Sequence, residues 1–489
     1  MISLRFFGWL LLLLAPLLLT GPFPALAEEP SDIERRKEDL LIKLRTTRAI
    51  DRGAIWVAAQ QKPDGSFHLK GNNQSGPFPD SRHRFGEGAL GTLTLAHCGY
   101  DTETKEIKRA ISYLKKHYRS YMKGEYWSQA SSYSLSLVVL GLHELYAKDP
   151  DLMSAEDRAR YGESLRDSKN PCRYPRWARQ MIWKILDWLI ANQAKEGLFR
   201  YPGGFPGFGG PGGRPPGGPG PAGGPPPGMP GGGPAHYGPE DLSNTQYVLL
   251  ALWAGSRCGY EVDKKTLEQI ARRLLQIQDK SGPRVQRALD PTPDKERGGS
   301  RYGDTTRPKD VFDRARGFGY TPGEAPTGSM TTAGMSSVAI VKAMLLEQHG
   351  LDPDLRQRLD QGIWDSIAWL VQHYDIDGNP PMRTSVWHYY YLYGLERACV
   401  IVDKQYLGDR DWYRDGSILL IDAQKEDGRW QPPSAVGQWS GGPGPVYDTA
   451  YLDTCFALLF LKRATVMPKV PLLPQPVVTP SDPEPPKGP

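Results

Sequence analysis

The sequence predicts an all-α fold: an (α/α)6 toroid of six helical hairpins with flexible insertions. Three observations carry that reading. A turn motif recurs six times, two-faced helical segments alternate with segments that are apolar all round, and capping residues precede the second member of several pairs. The turn is marked by Gln61, Tyr118, Gln193, Gln278, Tyr374 and Gln424. Its clearest copies are Trp56-Val57-x-x-x-Gln61-x-x-x-Gly65-x-Phe67, Trp188-Leu189-x-x-x-Gln193-x-x-x-Gly197-x-Phe199 and Leu420-x-x-x-Gln424-x-x-x-Gly428-x-Trp430. A helical hairpin cannot bury its apolar face alone. Stacked neighbours complete one another, so the repeat dictates the architecture. An open solenoid is the competing geometry.

The first helix of each repeat is amphipathic. In repeat three Ile182, Ile185, Leu186, Leu189 and Ile190 form one stripe, with Lys184, Asp187 and Asn192 facing away. The second helices differ. Residues 133–146 hold Leu135, Leu137, Val138, Val139, Leu140, Leu142 and Leu145, and 450–461 is apolar almost throughout. A helix apolar on most sides is covered on most sides, so the first helices form an outer ring and the second an inner one. Ser243, Thr331 or Thr332, Thr384 or Ser385, and Asp448 are the expected caps of inner helices. At each turn the Gln amide can tie the turn's backbone to a neighbouring helix end, and Gly permits the tight bend.

The 489 residues include 54 Gly and 45 Pro, with a formal charge of +5. So balanced a charge gives no electrostatic case for nucleic acid. Residues 1–27 read as a signal peptide: Arg5, the apolar run from Trp9 to Leu19, then Ala25-Leu26-Ala27 before Glu28. The run is short for a membrane span. That reading implies an extracytoplasmic protein, periplasmic or secreted, with no integral span after cleavage; an uncleaved amino-terminal anchor is the alternative. The toroid is expected over 28–465. Three insertions interrupt it, a polar connector at 148–176, a Gly/Pro-rich stretch at 202–234 expected to be disordered and a polar loop at 283–316, and a Pro-rich tail follows at 466–489. Cys98, Cys258 and Cys399 recur in alternate repeats, which do not touch in a stacked array, and read as small buried hydrophobes rather than disulfide partners.

The turn residues quoted above, over roughly 50–464, resemble those of squalene and oxidosqualene cyclases and, more loosely, the β subunits of protein prenyltransferases. The resemblance implies the terpenoid cyclase/prenyltransferase toroid, whose members hold isoprenoid chains in an apolar central cavity. Fold alone does not fix function. The cyclases protonate their substrate with the central Asp of an Asp-x-Asp-Asp-Thr-Ala motif. Here Asp448-Thr449-Ala450 matches its end, while Tyr447 stands where the donor should be. A phenol near pKa ~10 is a far poorer acid than a carboxyl near ~4. Asp448 is then the remaining proton donor, or simply a helix cap.

Other candidates come from position. Asp453-Thr454-Cys455 has the spacing of the prenyltransferase zinc site, and His388, the last His of the chain, is the available third ligand. A buried Cys beside an Asp is the plainer reading, and no cofactor is expected. Trp387, His388, Tyr389 and Tyr391 lie in the most aromatic inner segment, and with Tyr447 they offer a platform for an isoprenoid, lipid or glycan ligand. His388 and Tyr389 are also acid–base candidates. Asp375-Ile376-Asp377-Gly378 falls on the repeated turn and reads as turn chemistry. Function therefore divides three ways: a cyclase- or isomerase-like or ligand-binding toroid, a carbohydrate-active enzyme resembling a polysaccharide lyase, or a non-catalytic scaffold.

Overall fold

The computed structural model describes residues 30–67, 84–122, 131–147, 174–200, 240–287, 311–381, 387–431 and 449–464. Among them are twelve helices: α1 Pro30–Ala59, α2 Arg84–His97, α3 Lys105–Met122, α4 Ser131–Tyr146, α5 Arg176–Ala191, α6 Leu242–Ser256, α7 Lys264–Ile277, α8 Gly328–Gln348, α9 Pro353–Gln372, α10 His388–Ile401, α11 Trp412–Ala423 and α12 Ala450–Leu461. The even-numbered helices pack in the cyclic order α2, α4, α6, α8, α10, α12 and back to α2. The odd-numbered helices lie outside them. The array is therefore an all-α ring and not an open solenoid.

Sequence pattern explains the two layers. On the outer helix α7 only Leu267, Ile270, Ala271 and Leu274 are buried, a stripe at helical spacing. On the inner helix α8 every residue from Gly328 to Leu345 is buried. By length and composition α8 is apolar enough to cross a membrane, but 94% of that stretch is enclosed by the ring. Cys98, Cys258, Cys399 and Cys455 carry free thiols.

The repeated turn works as a clamp between repeats. Gln61 Nε2 donates to Gly65 O at 3.4 Å and to Glu106 O, on α3, at 2.8 Å. Gln424 Nε2 donates to Gly428 O at 2.8 Å and to Ala49 O, on α1, at 2.9 Å, which joins repeat six to repeat one. Arg52 adds bonds to Lys425 O and Glu426 O at the same seam. The glycines have two tasks. Gly65 and Gly428 sit at φ +89° and +95°, and a Cβ there would stand 2.2 Å from Arg109 O and 2.6 Å from Arg52 O. A second tie runs inward: Phe199, Phe318 and Trp430 donate their backbone N–H groups to Thr245, Thr331 and Thr454 on inner helices. Tyr374 departs from this pattern and donates to Asp415 Oδ2 on α11 at 2.9 Å.

Several local expectations change. The N-cap of α6 is Asp241, whose carboxylate accepts from Asn244 N, while Ser243 lies inside the helix and donates to it. Thr327, not Thr331 or Thr332, caps α8, because Thr331 is used for the inward tie. The N-cap of α10 is Trp387 and that of α12 is Thr449, neither with a side-chain cap bond. The ends of the 283–316 segment are not an exposed loop. Arg284–Gln286 (β1) and Phe312–Arg314 (β2) pair antiparallel, and the buried Arg287–Asp313 ion pair closes them. Gln361 and Asp365 of α9 hold this hairpin on the ring. The 1–27 and 202–234 segments, most of the 148–176 connector and the tail lie outside the described residues.

Candidate functional site

The aromatic faces of the inner helices meet on the ring axis. Tyr133 near the start of α4 and Tyr390 near the start of α10, on opposite sides of the ring, bring their hydroxyls within 3.4 Å. Gln246 of α6 donates to the same Tyr390 hydroxyl. Below this contact Tyr133 and Tyr247 pack at 4.8 Å between ring centroids, and Phe456 of α12 stacks on Tyr393 at 6.0 Å. These side chains crowd the axis at that level, where Tyr133 keeps partial exposure. The aromatic residues thus interlock inside the ring and do not line an open groove.

Two turns further along α10 the character changes. Arg397 follows Tyr390 by seven residues, so it keeps the same face about 10 Å deeper. Its guanidinium lies 4.4 Å from the Tyr393 ring centroid and 5.0 Å from that of Tyr247. The residue is 1% exposed, and none of its three nitrogens completes a hydrogen bond. The Tyr247 hydroxyl stands beside it as a weak, uncharged partner at the edge of hydrogen-bond geometry. Burial opposes the charge, yet Tyr247, Tyr393 and Tyr390 leave its pKa raised. On the opposite helix Leu140, seven residues after Tyr133, retains partial exposure despite its place inside the ring. A side chain enclosed on all sides could not. Leu140 is thus a point at which solvent reaches the inner ring.

One turn deeper on that face of α4 is Glu144, whose Oε1 lies 3.3 Å from Nδ1 of His97 at the end of α2. This contact is not an ion pair at neutral pH. Burial, with His143 and Lys462 nearby, pushes His97 down to about 3. Burial pushes Glu144 up to about 7, partly offset by Lys462. A neutral imidazole facing a carboxyl that is partly protonated near neutrality fits both shifts, since burial disfavours the charged form of each. The column down the axis is thus phenols, then an unpaired cation, then an acid poised near neutrality.

The residues singled out from sequence lie around this column rather than in it. His388 Nε2 contacts Ile376 O at 2.8 Å, so that nitrogen carries the proton and fastens α10 to the turn before it; burial holds its pKa down. Tyr389 is buried, and burial with Asp453 nearby pushes its ionisation further from neutrality, away from use as a base. Trp387 is 42% exposed and touches Tyr390 edge-on. Tyr391 packs the other way, where a Cβ on Gly328 would meet its ring at 2.7 Å. Trp387 and Tyr391 therefore do not form one platform. Asp453 accepts from Thr449 at 2.6 Å. Burial pushes the Cys455 thiol up to about 12, beside Thr94 and Tyr451 on its α2 side. His388, Asp453 and Cys455 do not converge, and no group of three metal-ligating side chains occurs among the described residues. Tyr447 and Asp448 lie outside the described residues.

An open groove of about 660 Å³ lies on the outer wall, lined by Tyr374, Asp375, Asp377, Arg410, Asp415 and Asp422 among others. Three of its carboxylates are engaged: Asp415 by Tyr374, Asp422 by Arg45, Asp375 by the Asp377 backbone. The axis, with unsatisfied buried donors, is the better candidate despite its smaller room. Arg397 and Glu144 were visible in sequence as charges within largely apolar inner-helix segments, Arg397 one turn after Tyr393 and two turns after Tyr390.

No family model matches the chain, and no curated protein sequence matches it. Among solved structures the chain is similar to the type II terpene cyclase MstE from Scytonema. The complex with geranylgeranyl dihydroxybenzoate gives 10% identity and a TM-score of 0.30, over 87% of this chain and 99% of that one. The complex with merosterolic acid A gives 9% and 0.28, over 87% and 98%, and the apo form 10% and 0.28, over 86% and 98%. The likeness is confined to helical architecture.

Proposed function

We propose that the protein is an extracytoplasmic binding toroid for an amphipathic isoprenoid- or lipid-type molecule with an anionic end group. Arg397 carries this reading. A buried guanidinium has five N–H donors and no alternative neutral state. Leaving such a charge uncompensated costs several kcal/mol, and two aromatic faces return only about 2 kcal/mol each. A carboxylate or phosphate fits the fork geometry in two parallel hydrogen bonds. The rings of Tyr247 and Tyr393 offer apolar walls beside it. The phenolic layer above favours a scaffold when taken alone; the cation below it does not.

Titration of the purified protein with geranylgeranoic acid and with geranylgeraniol, followed by intrinsic fluorescence, tests the reading. The acid is expected to bind at least about tenfold more tightly, a difference near 1.4 kcal/mol. Equal binding of the two, or binding of neither, rules against an anion seat. Glu144 favours a second reading in which the ligand is also turned over. A carboxylic acid with a pKa of about 7 can deliver and recover a proton near neutrality. In that case Glu144→Gln removes isomerised product and leaves binding intact; unchanged product in that variant overturns the second reading alone.

A further inference from the structure

We infer that the protein pairs weakly with a second copy of itself through the outward face of α1. Leu40 (57% exposed), Leu41 (59%), Leu44 (50%) and Ile55 (64%) all stand on this one helix. At 100° per residue Leu40, Leu44 and Ile55 fall within about 60° of one another, with Leu41 at the flank. The rest of α1 is already seated. Arg45 bonds Asp422, Glu38 and Asp39 pair with Arg414, and Ala49, Ala54 and Val57 are buried against the ring. The leucine stripe is what this seat leaves over.

The stripe is self-complementary about Leu44. Lys37 and Asp51 lie seven residues to either side of it, on the same face and both exposed. Two copies of α1 laid antiparallel on an axis through Leu44 set each Lys37 opposite the partner's Asp51. Leu44 then meets its own copy, and Leu40 meets the aliphatic stem of the partner's Arg48. A parallel pair sets lysine on lysine, so the charges choose the antiparallel arrangement. Within one chain Lys37 has only an exposed contact with Glu34 at 3.6 Å, easily exchanged. Asp51 on the apolar face also disfavours an anionic lipid surface as the occupant. Four half-exposed side chains bury less than the ~1,200 Å² of a stable complex, so dissociation in the micromolar range is expected.

Sedimentation velocity of the purified protein across the micromolar range, with flotation on phosphatidylcholine–phosphatidylglycerol vesicles, tests this. A monomer–dimer equilibrium is expected. Leu44→Lys places two like charges on the axis and should weaken the dimer by roughly two orders of magnitude, with the melting temperature unchanged. Lys37→Asp alone should weaken it about tenfold, and adding Asp51→Lys should restore it. The swapped pair keeps the test decisive if Leu44→Lys fails to fold. A wild-type chain monomeric throughout, a dimer indifferent to all three variants, or a chain that floats with vesicles through Leu44 overturns the inference.

Discussion

The rim of the ring and its hub are built from the same repeat but treat polar groups in opposite ways. At the rim, Gln61 and Gln424 each satisfy two backbone carbonyls, and Gly65 and Gly428 press directly onto the next outer helix. At the hub, the buried Arg397 guanidinium rests on the rings of Tyr247 and Tyr393, and its three nitrogens complete no hydrogen bond of normal geometry. The rim amides spend their donors on backbone carbonyls, whereas the hub cation is met by aromatic faces. The contrast assigns the rim to assembly of the ring and the hub to recognition.

The strongest way to break this contrast is at the rim. Gly65→Ala puts a methyl against Arg109 O in a left-handed backbone, and a loss of about 3 kcal/mol is expected in urea denaturation. Gly99→Ala is the control. Gly99 has a similar φ of +94° but open space around its Cβ position, so only about 1 kcal/mol should go. Equal losses at both sites dissolve the clamp as an explanation. Next in size, Gln424→Leu abandons Ala49 O and Gly428 O at the closing seam, and about 2 kcal/mol should be lost.

The smallest effect lies in the pH dependence of the hub. Folding lowers His97 from 6.5 to about 3, so the unfolded chain holds more protons there and stability rises with pH across that window. Folding raises Glu144 from 4.5 to about 7, so the folded chain holds more protons and stability falls as pH rises through that interval. Between about 4.5 and 6.5 the two oppose each other. Glu144→Gln should leave the rising slope alone, read as a melting temperature that climbs from pH 4.5 to 6.5 more steeply than in the wild type. Identical profiles mean the Glu144–His97 contact does not hold these protonation states.

The ring was legible because a repeat states its own packing problem six times. Turn Gln, turn Gly and the two kinds of helix together require neighbours on both sides. Caps were read less well: Ser243 and Thr331 are good capping types, but Asp241, two residues earlier, and Thr327, one turn earlier, take the role. The 283–316 segment read as a loop because its charges are dense, and the buried Arg287–Asp313 pair that ties its ends together joins residues 26 apart in sequence. The hub was harder still. Tyr391 and His388 attract attention beside Tyr390 and Tyr393, but helical phase decides which of them face the axis, and the start of α10 at His388 sets that phase. Arg397 was in plain view as a lone cation on an apolar helix face. Its significance depends on the absence of a partner, which no sequence displays.

The central claim is that Arg397 is held for a ligand and not for the fold. Arg397→Met keeps the volume and removes the charge, so the most direct measurement is equilibrium unfolding of this variant together with geranylgeranoic acid titration. Because an unpaired buried charge costs folding energy, stability should be unchanged or higher by about 1–3 kcal/mol, while preference for the acid over the alcohol disappears. A variant that loses stability and still prefers the acid contradicts the account.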